Sequence, residues 1–183
     1  EKAGLIVKRS EGEGHYDRFR GRIIFPIRDI SGQVIAFGGR VMDDSLPKYL
    51  NSPETPLYSK SNVLYCLDQA KEPARKQGYF IIVEGYLDAI ACHQYGAKNA
   101  VATLGTSTTA EHLRRAFKLV GELVFAFDGD RAGRGAAWRA LQNALPELRE
   151  GREIRFLFLP EGEDPDSLVG REGRAAFEQR LAG

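Results

Sequence analysis

The sequence predicts an α/β fold, a parallel sheet flanked by helices, with a small mixed-β region ahead of it. Three observations predict it. From residue 79 onward, short apolar runs alternate with helical stretches, the pattern of β-α-β units joined by right-handed crossovers. Three of those runs end in acid. Before about residue 60 the pattern is instead turn-rich and strand-like, so a boundary is expected near Gly78, dividing 1–77 from 78–183.

In the first region, residues 17–22 alternate guanidinium with other side chains, which on an extended backbone puts Arg18, Arg20 and Arg22 on one face. Residues 23–27 and 33–38 read as strands of a hairpin around the turn 28–32, and Gly38-Gly39 is expected to break the second strand. Residues 47–56 are too proline-broken for a helix or central strand and read as an ordered loop. A helical stretch over 63–77 leads to the boundary.

Beyond it, 79–83 reads as a strand, 87–95 as a helix stopped by Gly96, and 100–104 as a second strand. Thr108 and Glu111 have capping-box spacing and announce a helix over 109–117. A third strand, 123–127, runs into Asp128-Gly129-Asp130. The helix expected over 131–145 places Ala137, Leu141, Ala144 and Leu145 on one face, and Trp138 among small residues is expected to pack. A strand over 154–159 and a helix over 172–181 close the chain.

Composition narrows the function only a little. Of 183 residues, 43% are hydrophobic and 28% charged, with 26 Lys and Arg against 25 Asp and Glu, so no global field demands nucleic acid and any basic surface is local. Cys66 and Cys92 make no C-x-x-C pair and suit buried free thiols in a reducing compartment. No run approaches the roughly 20 apolar residues of a membrane span. A chain that opens on Glu1 reads as a piece of a longer one.

The chemistry gathers at strand ends. Glu84 follows the strand 79–83, Asp128 and Asp130 follow 123–127, and Asp164 and Asp166 follow 154–159 after the turn 160–163. In a parallel sheet these five carboxylates share one edge, and their repulsion is relieved by a divalent cation or by protonation. Oxygen donors without nearby Cys or His favour magnesium or manganese over zinc. The plainer alternative is that each acid caps a helix or turn. An aspartyl-nucleophile phosphatase would also use an Asp-x-Asp strand end. His15, His93 and His112 share no ligand spacing. Gly105-Thr106-Ser107-Thr108, ahead of a helix, suits either a phosphate or a cap.

Glu84-Gly85 after its strand, Asp128-Gly129-Asp130-Arg131-Ala132-Gly133 and Glu163-Asp164-Pro165-Asp166 resemble the toprim domain, a Rossmann-like fold, of primases, topoisomerases and related nucleases. The likeness extends further. Tyr16-Asp17-Arg18-Phe19-Arg20, Phe25-Pro26-Ile27-Arg28-Asp29, Gly38-Gly39-Arg40, Pro47-Lys48-Tyr49-Leu50-Asn51-Ser52-Pro53-Glu54-Thr55 and Leu104-Gly105-Thr106 resemble the bacterial replicative primase family, DnaG.

That resemblance implies a template-directed RNA polymerase making primers on single-stranded DNA in the bacterial cytoplasm, at the replication fork. It implies Mg2+, with Mn2+ able to substitute, at Glu84, Asp128 and Asp130, which carry catalysis. Asp164 and Asp166 form a second acidic pair, and Asp88 completes the Glu-Gly-Tyr-x-Asp pattern. Arg40, Lys48 and Lys60, with Tyr49 and Asn51, would meet phosphates of template or incoming nucleoside triphosphate. Zinc is expected only in a domain absent from this chain, and the replicative helicase only through an absent C-terminal domain; the fragment is expected to be monomeric, with no membrane contact. Joining a nucleotide to a 3′-hydroxyl is an in-line phosphoryl transfer that metal ions assist at both attacking and leaving oxygens. A toprim nuclease or topoisomerase fragment, and a non-catalytic metal-dependent nucleic-acid-binding module, are the competing readings.

Overall fold

Residues 79–83 and 123–127 are five-residue apolar runs, and they supply the two central strands of a parallel sheet. The computed structural model describes residues 1–105, 107–160 and 162–182; Thr106 and Glu161, which the sequence places in the Leu104-Gly105-Thr106 motif and the turn 160–163, lie outside the described residues. By packing, the chain falls into two units, Glu1–Ser59 and Lys60–Gly183.

In the first unit, Ile6–Lys8 (β1) and His15–Asp17 (β2) pair antiparallel, and Arg22–Arg28 (β3), Val34–Val41 (β4) and Tyr49–Asn51 (β5) form a second antiparallel sheet in the order β3-β4-β5. Pro26 is tolerated because β3 is an edge strand. Two expectations are corrected here. Strand β4 runs through Gly38-Gly39, which pair with both neighbours, Gly38 with Phe25 and Asn51 and Gly39 with Ile24 and Leu50. The glycine is needed for close approach, since a Cβ on Gly39 would sit 2.9 Å from Phe19 Cδ1 and 3.0 Å from Arg22 Cδ. The proline-rich loop, in turn, contains β5.

Nor do the three arginines share an extended face, because residues 18–21 form a turn between β2 and β3. Each instead holds a different neighbour. Arg18 donates through Nε and Nη2 to the Asn51 carbonyl (3.2 and 3.0 Å), Arg20 lies over the Tyr16 ring at 4.7 Å, and Arg22 donates to the carbonyls of Gly39 and Lys48 (3.5 and 3.3 Å). These bonds tie the turn to the β4–β5 hairpin.

The second unit is the α/β part. Leu67–Gln77 (α1) precedes Tyr79–Val83 (β6), Tyr86–Gln94 (α2), Ala100–Ala102 (β7), Ala110–Phe117 (α3), Glu122–Phe127 (β8), Arg131–Ala144 (α4), a short 3-10 turn Leu145–Glu147, Glu153–Phe158 (β9) and Pro165–Ala182 (α5), which is interrupted at Gly173. The packing division precedes α1, whereas the sequence boundary follows it. Leu67, Ala70 and Ala74 of α1 are buried with sheet residues, which gives the packing its reason.

All four strands are parallel, in the order β7-β6-β8-β9. Alternate residues face opposite sides. Phe80, Ile82, Val101, Leu123, Phe125 and Phe127 face α1, α3 and α4, and Phe125, Phe127 and Phe156 stack at centroid distances of 5.4 to 6.3 Å. The other face meets α2 and α5. Cys66 and Cys92 are buried free thiols, and burial pushes both up to about 12, so they are structural and unreactive.

Three local readings change. Helix α3 is capped by Thr109, one residue later than expected: its Oγ1 accepts from His112 N (3.1 Å) while His112 Nδ1 accepts from Thr109 N (3.2 Å). His112 Nε2 is thereby the protonated nitrogen, and it donates to the Lys60 carbonyl at 2.8 Å. Helix α4 buries Gly133, Ala137, Ala140 and Ala144 rather than a face containing Leu141 and Leu145, and Leu145 is exposed. Small residues let this helix lie close to the sheet, which excludes leucine from the seam. Trp138 does not pack; it is 62% exposed.

Candidate active site

After β6 the chain moves to β7 on one side, then crosses back to β8 and β9 on the other. The direction reverses between β6 and β8, which is where open α/β sheets open a crevice at their carboxyl ends. Glu84 is the first residue past β6 and Asp128 the first past β8. The remaining acids come from the helices that follow. The N-termini of α2, α4 and α5 end at this edge, and the partial positive charge of each favours a carboxylate.

Capping and clustering turn out to be one arrangement. Asp88 Oδ2 accepts from Gly85 N (3.0 Å), Asp130 Oδ1 from Gly133 N (2.7 Å) and Asp164 Oδ1 from Ser167 N (2.7 Å), so each commits one oxygen to a helix start and keeps the other. Asp166 lies exposed in the first turn of α5. Glu84 and Asp128 have no hydrogen-bond or ion-pair partner for their side chains among the described residues.

The electrostatics follow. Desolvation first, then the charges of Asp164 and Asp130, pushes the Asp128 carboxyl above its usual range. Glu84 keeps solvent contact, yet desolvation followed by Asp128 and Asp130 raises it too, against a lowering contribution from Arg139. Asp88 is pushed up to about 7, chiefly by burial, with Asp164, Asp128 and Asp166 adding to the rise and the Gly85 N–H opposing it. Asp128 is thus the member common to a Glu84–Asp130 group and an Asp88–Asp164–Asp166 group.

Among the described residues no three His, Cys, Asp or Glu side chains are drawn together tightly enough to hold a metal ion by themselves. The donor set nevertheless fits a hard divalent cation: carboxylate oxygens opposed only in part by Arg139, with Glu84 and Asp128 free of any hydrogen-bond or ion-pair partner among the described residues, suit an ion that keeps several waters and takes one or two carboxylates plus substrate oxygens.

The Asp88 shift has a measurable consequence. Between about 3.8, the ordinary value of an aspartate, and about 7, the folded protein holds a proton that the unfolded chain has released, so the metal-free protein loses stability as pH rises through that window. Asp88→Asn keeps an acceptor for Gly85 N and removes the charge. In chelator at pH 8 its melting temperature is expected to exceed the parent's by about 5 °C, with the two converging near pH 4. Parallel melting profiles across that range would show that the Asp88 charge is not strained.

Two features beside the acids escaped the sequence reading. Arg139 on α4 donates through Nε to Ser107 Oγ (3.3 Å), and Asn143 Nδ2 donates to the Thr108 carbonyl (2.7 Å), pinning the segment after β7. With Glu84, Thr103, Ser107, Thr108 and Phe127, Arg139 lines a cavity of about 180 Å3. Only helical periodicity on α4 could have pointed to it. Leu104 and Gly105 both take left-handed backbone, φ 60° and 71°, turning the chain sharply at this rim.

The basic candidates lie mostly in the first unit. Arg40 pairs across β4–β5 with Tyr49, and Arg40 Cζ and Lys48 Nζ stand 5.9 and 5.8 Å from its ring centroid, two cations about one aromatic. Arg40 Nε is buried and has no hydrogen-bond partner among the described residues. Asn51 pairs with Gly38, and its carbonyl receives Arg18. Lys60 belongs to the second unit, where its carbonyl holds His112.

A switch-point crevice rimmed by acids on the Glu-Gly and Asp-Gly-Asp turns defines a toprim-type α/β domain, and residues 81–169 match the Toprim-like family. Residues 1–71 match the DNA primase catalytic core, N-terminal domain. Over 98% of its length the chain is 58% identical to the DNA primase of Pseudomonas aeruginosa and 52% identical to that of Escherichia coli, covering 27% and 31% of those proteins. A crystal structure of a DNA primase domain from Pseudomonas aeruginosa superposes with a TM-score of 0.95 at 57% identity, over 99% of this chain and 56% of that one. The DnaG primase catalytic domain bound to ssDNA gives 0.92 at 51%, over 99% and 58%. The chain belongs to the DnaG primase family. It spans about a quarter to a third of the length of these curated relatives.

Proposed function

We propose that this chain is part of the catalytic core of a primase, which builds short RNA primers on a single-stranded DNA template from nucleoside triphosphates. The observation that carries the reading is the pair Glu84 and Asp128, carboxylates on either side of the switch point that have no hydrogen-bond or ion-pair partner among the described residues, both held above their usual range. The relative solved with ssDNA supports the same template.

In this reading Glu84, Asp128 and Asp130 hold Mg2+, or Mn2+ in its place, with Asp88, Asp164 and Asp166 as the outer acids. Bound there, the metal neutralises triphosphate charge and stabilises the attacking and leaving oxygens. Arg40 and Lys48 attract phosphate, and Tyr49 orients both cations. Asn51 and Lys60 complete the nucleotide-binding set. Residues 1–77 are a mixed-β, basic part of an N-terminal subdomain and 78–183 the toprim domain. The whole protein works in the bacterial cytoplasm and meets the replicative helicase through another domain, while the present fragment is a monomer. Among the described residues no helix is long and apolar enough to cross a membrane.

The test is synthesis by the full-length protein on single-stranded DNA with the four ribonucleoside triphosphates. Short RNA products are expected in Mg2+ or Mn2+ and none in chelator, with recovery when metal is returned. Nicking of DNA in magnesium without synthesis would replace the primase reading with a nuclease or topoisomerase. DNA binding with neither reaction would make the chain a non-catalytic module.

A further inference from the structure

Helix α4 buries only small residues, and its opposite face is unlike an ordinary solvated surface. At 100° per residue, Arg131, Arg134, Trp138, Gln142 and Leu145 fall within a sector of about 80°. All are exposed, Trp138 by 62% and Leu145 by 59%. This is the one tryptophan of the sequence. The helix contains three arginines and no acid, and among the described residues none of the three is in an ion pair. Arg134 donates one bond to the Gly129 carbonyl (3.1 Å), while Arg139 turns aside to Ser107.

We propose that this face of α4 is a track for single-stranded nucleic acid, with a base stacked on Trp138 and phosphates met by Arg131 and Arg134. The proposal rests on the primase reading for its context. Charge complementarity carries it. A face meant for another helix would present several aliphatic side chains, whereas this one sets a single large flat ring between uncompensated guanidinium groups and an amide. That combination suits single strands, where an aromatic takes any base and cations follow the backbone. The track also begins at the right place. Arg131 adjoins Asp130, and Trp138 lies about 10 Å further along the helix axis at 1.5 Å per residue, a few nucleotides from the acidic edge.

The test uses the full-length protein and short labelled oligo-dT and oligo-U, followed by fluorescence anisotropy in chelator without triphosphate, so that strand binding is read apart from catalysis. Trp138→Ala is expected to weaken binding about tenfold or more, while Trp138→Tyr stays within about threefold of the parent. Arg131→Gln should reduce the slope of log affinity against log salt by about 0.7. The oligonucleotide showing the larger loss identifies the strand, DNA template or RNA product. Unchanged binding of both oligonucleotides in Trp138→Ala and Arg131→Gln overturns the track. So does a melting temperature several degrees lower in Trp138→Ala with binding intact, which would mean that protein covers this face. A parent that binds strands through Trp138 yet adds no nucleotide would sink the primase reading and leave the track standing. A parent that primes normally but is indifferent to both substitutions would do the reverse.

Discussion

Asp128→Asn is expected to lower nucleotide addition by the full-length protein about a thousandfold or more while leaving the fold at least as stable. The two halves of that expectation share one cause. Among the described residues Asp128 is the only acid placed against both acidic groups, and its carboxyl is desolvated and repelled by Asp164 and Asp130 with no bond of its own to them. Removing the charge relieves the metal-free protein and takes away an oxygen that the proposed metal needs. Loss of metal assistance worth several kcal/mol corresponds to three or more decades in rate. Manganese calorimetry and a melting curve on the same preparation separate the effects. Abolished metal binding with an unchanged or raised melting temperature is the expected pair. Activity within about tenfold of the parent would remove Asp128 from the reaction, and a lowered melting temperature would make it a structural residue.

The second large effect falls on the glycine between the two aspartates. A Cβ on Gly129 would stand 2.1 Å from the Leu159 carbonyl oxygen and 2.8 Å from the Pro160 carbonyl, so the ends of β8 and β9 meet backbone to backbone. Gly129→Ala must drive them apart, and with them Asp128 and Asp130 from Asp164. The expected cost is about 3 kcal/mol, a fall of roughly 6 to 12 °C in melting temperature, accompanied by weaker manganese binding. Gly135→Ala, further along α4, is the control. Its Cβ would meet only the tip of Arg139 at 3.4 Å, so the substitution should be neutral or stabilising by up to about 1 kcal/mol. Equal melting temperatures for the two variants would show that β8 and β9 do not approach so closely.

Both predictions depend on contacts that no spacing in the sequence announces. Asp128-Gly129-Asp130 reads from sequence as a tight acidic turn, and it is one. That the glycine exists to admit Leu159 and Pro160, 30 residues on, is a fact of strand packing. The same holds for Gly39, where a local rule says that paired glycines break a strand, and close approach to Phe19 and Arg22 keeps it whole.

What the sequence determined by itself was periodicity and strand termini. Apolar runs of strand length alternating with helices specified the parallel sheet, because buried strands and crossover helices leave different patterns. The acids at the ends of those runs were bound to share an edge, because parallel strands all deliver their carboxyl ends to one side. The family motifs were equally visible. What the tertiary structure decided was which group each side chain faces. It gave Asp88, Asp130 and Asp164 to helix starts and left Glu84 and Asp128 without a partner among the described residues, although all five of these acids sit at similar places in their motifs. It also chose the seam of α4. Apolar content favoured Leu141 and Leu145, but a helix anchored at its start by Asp130 and Gly133 lies too close to the sheet for leucine, so alanines went inward and Trp138 was left facing water. Distances between elements set those outcomes, and a sequence specifies such distances only through the packing of the whole unit.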